Sequence, residues 1–160
     1  MPGEVVIRPT ITSDMPGLKA LIDATGLFPA EMLDAMLAGY FSGEAPNELW
    51  LTDNDGGPVA IAYCAPERMT QGTWNLYLIA VHPDRQGQGR GATLLRHIEQ
   101  ELARVGQRLL LVDTSDLPEF ERTRSFYRQC GYEEEARIRE FYQAGEGKIL
   151  FRKAVSAASR

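Results

Sequence analysis

The sequence predicts an α/β fold in one domain, residues 1–155 with a short tail 156–160, and elements in the order β-α-α-β-β-β-α-β-α-β-β. Three observations carry this. At 160 residues the chain is the size of one domain, long enough to bury roughly 70% of its unfolded surface. Apolar residues at 44% and charged residues at 24% exclude a disordered or collagen-like chain. Apolar periodicity then switches repeatedly between strand and helix type along the sequence.

Val5 to Arg8 reads as a short first strand. Thr12, Ser13 and Asp14 are helix-capping types, and Leu18, Leu21 and Ile22 follow at helical spacing. Leu33, Met36, Leu37, Tyr40 and Phe41 repeat at three and four, so a second helix is expected, closed by Gly43. Glu48 to Thr52 and Pro58 to Ala65 read as strands joined by the turn-rich Asp53-Asn54-Asp55-Gly56-Gly57, a hairpin. Thr73 to Val81 is aromatic and aliphatic, as a central strand is. Leu94, Leu95, Ile98, Leu102 and Val105 mark an amphipathic helix, and Arg108 to Val112 a strand buried on both faces. Phe120 to Cys130 is a shorter helix ended by Gly131, two more strands lie around Glu146-Gly147, and the composition loosens from Ala154 into a frayed end.

Charge is unevenly spread. The first 80 residues carry three basic side chains against ten carboxylates, and the last 80 carry fourteen against twelve. A chain with a net charge of −5 is a poor general binder of nucleic acid, although the basic second half leaves room for a local anionic ligand. No apolar run approaches the roughly 18 residues of a membrane span. The opening lacks a basic-then-apolar leader, so no membrane partner and a cytoplasmic location are expected. Cys64, Cys130, His82 and His97 are scattered, and neither a disulfide framework nor a metal site is expected.

The most informative segment is Val81-His82-Pro83-Asp84-Arg85-Gln86-Gly87-Gln88-Gly89-Arg90-Gly91-Ala92, between a strand and a helix. Glycines let successive N–H groups converge on phosphate oxygens at the positive end of a helix dipole, with Arg85 and Arg90 adding charge at the rim. A triphosphate loop fails because no Gly-Lys-Ser/Thr follows. Gly87-x-Gly89-x-x-Ala92 matches a relaxed dinucleotide fingerprint, but five residues separate the strand from its first glycine and too few βα units surround it.

Gln86, Gly89 and Gly91 sit at the fixed positions of Gln/Arg-x-x-Gly-x-Gly/Ala, and the segment resembles the acyl-CoA loop of the GNAT superfamily of N-acyltransferases. The element order, Arg8-Pro9 after the first strand, and Phe126-Tyr127-x-x-Cys130-Gly131-Tyr132 near the end resemble that family too. The resemblance implies a mixed, mostly antiparallel seven-stranded sheet with about four helices, opening in a V between Thr73–Val81 and Arg108–Val112. It implies acetyl-CoA as cosubstrate without a metal, its pantetheine arm along Ile79, Ala80 and Val81. The pyrophosphate would lie on the amides of Gln86, Gly87, Gln88, Gly89, Arg90, Gly91 and Ala92. Many members carry an Asn seven residues before the helix tyrosine; Phe120 stands there, and that contact is not expected.

The implied activity is N-acetylation of a small-molecule or peptide amine by direct transfer, and the family leaves room for a homodimer. Tyr127 resembles the family's general acid; a phenol with a pKa near 10 can protonate a departing thiolate once in contact. Many members place a Glu base on the strand before the loop, but Thr73 to Val81 holds no carboxylate. Glu67 and Asp113 are the nearest candidates by element position. Phe28, Met32, Tyr40, Met69, Trp74 and Tyr142 are candidates to line the acceptor side. The competing class is an acyl-CoA sensor without turnover.

Overall fold

The structure, a computed structural model, describes residues 6–155; Val5 and the expected tail 156–160 lie outside the described residues. Its strands are β1 (Val6–Pro9), β2 (Leu49–Asn54), β3 (Pro58–Pro66), β4 (Thr73–Val81), β5 (Leu109–Ser115), β6 (Glu133–Gln143) and β7 (Glu146–Ala154). The helices are α1 (Met15–Thr25), α2 (Met32–Ser42), α3 (Arg90–Arg104) and α4 (Glu121–Gln129). The seven strands form one mixed sheet in the order β1-β2-β3-β4-β5-β7-β6, mostly antiparallel with β4 and β5 as the parallel pair. The expected fold class is therefore the observed one.

The chain divides into two compact units, and β4 and α3 each pass from one to the other. Among the described residues, the first comprises 6–65 and 78–98. Its core gathers Leu18, Leu21 and Ile22 of α1, Leu33 and Leu37 of α2, Trp50 of β2 and Ile61 of β3, all fully buried. The three-and-four spacing puts each helix's leucines on one face, so both helices bury that face together. Both end at a left-handed glycine, Gly26 and Gly43, which supplies the positive φ of a helix stop. Trp50 lies flat on Tyr63, ring centroids 4.1 Å apart.

Among the described residues, the second unit comprises 66–77 and 99–155. The parallel ladder runs from Thr73↔Leu109 to Leu76↔Val112 and stops well short of Val81. β5 continues, antiparallel to β7, from Leu109↔Ala154 to Ser115↔Lys148. Leu102, Leu110, Val112, Tyr127, Tyr132 and Phe151 are buried here.

Three local expectations are corrected. β2 runs on through Asp53 and Asn54, so the tight part of the hairpin is shorter than its turn-rich composition suggests; Asp53 is wholly buried in the strand. The last hairpin turns at Ala144-Gly145, where Gly145 has φ +84. Gly147 belongs to β7, where a Cβ would lie 2.5 Å from Asp116 Oδ2, so close approach and not a turn requires that glycine. Ala154 is the last residue of β7, opposite Leu109, and Val155 is buried with its amide on Arg108 O, so the ordered chain continues past the point where its composition loosens.

Candidate active site

In the first unit, β4 leads into a loop fixed at its start by hydrogen bonds. The His82 amide donates to Val59 O at 2.8 Å, and the Asp84 amide donates to His82 Nδ1 at 3.1 Å, beginning a short turn over Pro83–Arg85. Gln86 Nε2 reaches back to Val81 O at 3.1 Å. Ahead of it Ile79 and Val81 are half-buried and Ala80 is buried, whereas Gln86 to Gly89 are exposed. Gly87 and Gly89 both have φ +77, and a Cβ on either would meet nothing within 4 Å. Backbone conformation, not crowding, therefore demands glycine at both positions. Arg90 then starts α3, with the Thr93 amide on Gly89 O at 3.0 Å. Among the described residues, none accepts a hydrogen bond from the amides of Gly87 to Ala92. Such a row of free donors at a helix N-terminus, beside open space, suits phosphate oxygens.

The two arginines are not rim charges. Arg90 is 8% exposed, and its guanidinium turns inward to Asp53 (3.1 Å) and Asp55 (2.5 Å). Arg85 Nη1 bonds the same Asp55 oxygen at 2.7 Å. Arg85 first, then Arg90, holds the Asp55 carboxyl below its ordinary range. Arg90 thus keeps its amide at the loop while its charge is committed elsewhere.

In the second unit, Tyr127 lies on α4 and is 4% exposed, packed among the rings of Phe126, Tyr132 and Phe151. Burial pushes its phenol up from the ordinary value, with Cys130 adding to the shift. Glu67 lies just beyond β3, its amide on Thr73 O at 2.8 Å. Its Oε1 accepts from Asn75 Nδ2 at 2.9 Å and from the Tyr77 hydroxyl at 3.2 Å. Asp113, on β5, faces Lys148 at 3.6 Å. Burial and the Glu67 charge raise the Tyr77 phenol, and Asp113 adds to it; Tyr142 is raised by burial and then by Asp113 and Glu146.

Asn75 and Tyr77 are not among the residues the sequence singles out. They are two apart on β4, so they share a face of the strand, which is the signal that could have found them. Asn75 is 5% exposed, and its Oδ1 has no hydrogen-bond partner among the described residues. An unsatisfied buried acceptor costs about 1–3 kcal/mol. Of the candidate acceptor-lining residues, Tyr40 spends its hydroxyl on Thr10 O and Trp74 its indole N–H on Gln107, while Met69 is fully exposed and Tyr142 half-exposed. Cys64 is buried and its thiol pushed up to about 12, which keeps it protonated and unreactive. No helix among the described residues is long and apolar enough to cross a membrane.

Residues 45–134 match the model of the acetyltransferase (GNAT) domain. Across 96% of this chain and all of the other, the fold is similar to that of a protein described as a GNAT-family acetyltransferase from Desulfovibrio desulfuricans, at 30% identity and a TM-score of 0.88. The ribosomal-protein-S18-alanine N-acetyltransferase of Escherichia coli shares the fold at 23% identity, with a TM-score of 0.75 over 96% of this chain and 95% of that one. An aminoglycoside 6'-N-acetyltransferase complexed with coenzyme A does so at 18% identity and 0.76, over 94% and 97%. No curated protein sequence matches the chain.

Proposed function

From the premise that this chain belongs to the GNAT acetyltransferase family and is an acyltransferase, we propose that it moves an acetyl group from acetyl-CoA directly to a primary amine. One observation carries the reading: the unpartnered amides of Gly87 to Ala92, two left-handed glycines among them, run into the N-terminus of α3. A pyrophosphate fits that row, since each phosphate oxygen can take an N–H whose own partner is missing. The backbone of Ile79, Ala80 and Val81 takes the amides of the pantetheine arm.

Bound there, acetyl-CoA supplies an activated acyl carbon with a good leaving group. The amine nitrogen attacks that carbon; the C–N bond forms and the C–S bond breaks. Two protons must move. Tyr127 gives its phenolic proton to the departing sulfur; burial raises the phenol, so the proton is present but held more tightly and passes only as the thiolate's charge develops in contact with it. Glu67 takes the proton from the amine. Asn75 and Tyr77 both donate to its Oε1, which holds that oxygen and leaves Oε2 for the amine's proton. Asp113 is the weaker candidate, because the Lys148 ammonium already faces it.

The acceptor class is tested by incubating the protein and acetyl-CoA with amines, N-terminal peptides and aminoglycosides, reading released CoA thiol. Turnover with at least one primary amine is expected. Tight acetyl-CoA binding with no turnover on any class would replace this reading by the sensor.

A further inference from the structure

The glycines do not by themselves hold the shape of the loop beyond its hydrogen-bonded start. Gly87 and Gly89 adopt left-handed backbone that other residues avoid, and the freedom that permits it is the freedom to leave it. Something outside the loop must therefore fix where its amides point. The residues that bracket the exposed stretch Gln86–Gly89 are Arg85 and Arg90, and both guanidiniums reach one oxygen, Asp55 Oδ2, at 2.7 and 2.5 Å.

We infer that Asp55 is a positioning residue for the acyl-CoA loop, a single carboxylate that ties its two ends together and so sets the spacing of the phosphate-binding amides. This rests on the acyl-CoA reading above. Asp55 is itself well anchored: it follows β2 directly, and its amide donates to Gly57 O at 2.9 Å. Arg90 cannot swing away cheaply, because its Nη1 also pairs with Asp53, which is wholly buried and would be left as an uncompensated charge. Within the loop, Arg90 Nε donates to Gln88 Oε1 at 3.4 Å, carrying the brace one residue further. Two carboxylates also offset two guanidiniums, one of them at the positive end of the α3 dipole, where a lone cation is unfavourable. With its charges so committed, this loop presents amides to phosphate, and Asp55 acts through the arginines without touching the ligand.

A direct role for the arginines makes the opposite prediction, which lets one cycle decide. If Arg85 were a phosphate ligand, removing Asp55 would free it and tighten CoA binding. If Asp55 is the brace, Asp55→Asn and Arg85→Met both weaken CoA binding, each by about tenfold, and the double variant is no worse than the weaker-binding single, as expected for two members of one interaction. Calorimetry with CoA reads this, alongside a rise in KM for acetyl-CoA at unchanged kcat. Backbone amide order parameters of Gly87–Ala92 without ligand should fall in both variants while those of α1 and α2 stay put. Unchanged order parameters in the loop, or tighter CoA binding by folded Asp55→Asn, overturns the brace. If Asp55→Asn does not fold, the loop order parameters of Arg85→Met, with its half-exposed side chain, carry the test, since weaker CoA binding by that variant is expected on either account. If the wild type binds no CoA, the acyl-CoA reading fails, and the order parameters alone decide the brace.

Discussion

The loop from His82 to Ala92 and the two candidate groups of the second unit, Tyr127 and Glu67, are built from different chemistry. The first presents backbone: its donors are amides, its glycines supply conformation, and its two arginines are turned away into Asp53 and Asp55. The second presents side chains: a buried phenol on α4, and a carboxylate at the end of β3 held by an amide and a phenol from β4. A site built from backbone is insensitive to which polar side chain a position carries but intolerant of a Cβ in the wrong place. A site built from side chains tolerates only isosteres, and a single atom can remove its chemistry. Substitutions that separate conformation from chemistry should therefore split the two regions cleanly.

The largest effect is expected at Gly89. Valine there must adopt φ +77, which β-branched residues avoid by about 1–2 kcal/mol or more, and its methyls would occupy the open space the phosphate needs. Gly43 has φ +82 with equally open surroundings, but it only ends α2. Gly43→Val therefore measures the strain without the ligand. Acetyl-CoA affinity by calorimetry should fall by about 100-fold or more in Gly89→Val and stay within a factor of about two in Gly43→Val. Equal losses in the two variants would mean that the loop is a turn and no more.

Tyr127→Phe isolates the opposite quality. The ring contacts to Phe126, Tyr132 and Phe151 survive and only the hydroxyl goes. General-acid removal typically costs 10²- to 10⁴-fold, and because a thiolate leaves readily the lower end is expected, about 100-fold in kcat with acetyl-CoA affinity unchanged. The phenol is raised above its unfolded value by burial, so the proton is in place throughout the usual assay range. Its contribution to stability is full below the unfolded value of about 10 and is lost as pH rises from there toward the folded one. Undiminished kcat, measured where chemistry limits turnover, would make Tyr127 a packing residue.

The same division explains what is legible in the sequence. Backbone sites announce themselves locally: three glycines at alternate positions between an apolar strand and an amphipathic helix are enough to locate the loop. The helices are equally plain, because a three-and-four repeat is a local property. Asp53 reads as turn because Asp, Asn and Gly favour turns, while its strand partners are Ile7 and Ala60 and its buried carboxylate is met by Arg90, far along the chain. Arg90 reads as a rim charge for the same reason. Gly147 looks like a turn glycine until Asp116 is found against its Cβ position. Glu67 can be nominated from its place in the element order, but its two donors come from β4, and side-chain partners from another strand leave no mark on the sequence nearby.

The smallest expected effect decides between the two carboxylates. Glu67→Gln keeps the shape of the side chain and can keep its oxygen against Asn75 Nδ2 and the Tyr77 hydroxyl, so the second unit should fold unchanged. It removes the lone pair that accepts the amine's proton. Because water can partly replace a general base, the loss should be modest, about tenfold in kcat/KM, below the range typical of a positioned group. Asp113→Asn is the matched control: it removes a charge of the same sign that also acts on Tyr77, but from a side chain already facing Lys148. It should leave kcat/KM within about twofold. Comparing the two variants across pH on the best amine gives the answer, since only loss of the base removes its limb from the pH–rate profile. A flattened acid limb in Asp113→Asn with a wild-type profile in Glu67→Gln would reverse the assignment. Wild-type profiles in both would give the amine's proton to water and leave Glu67 a residue that closes the turn between β3 and β4.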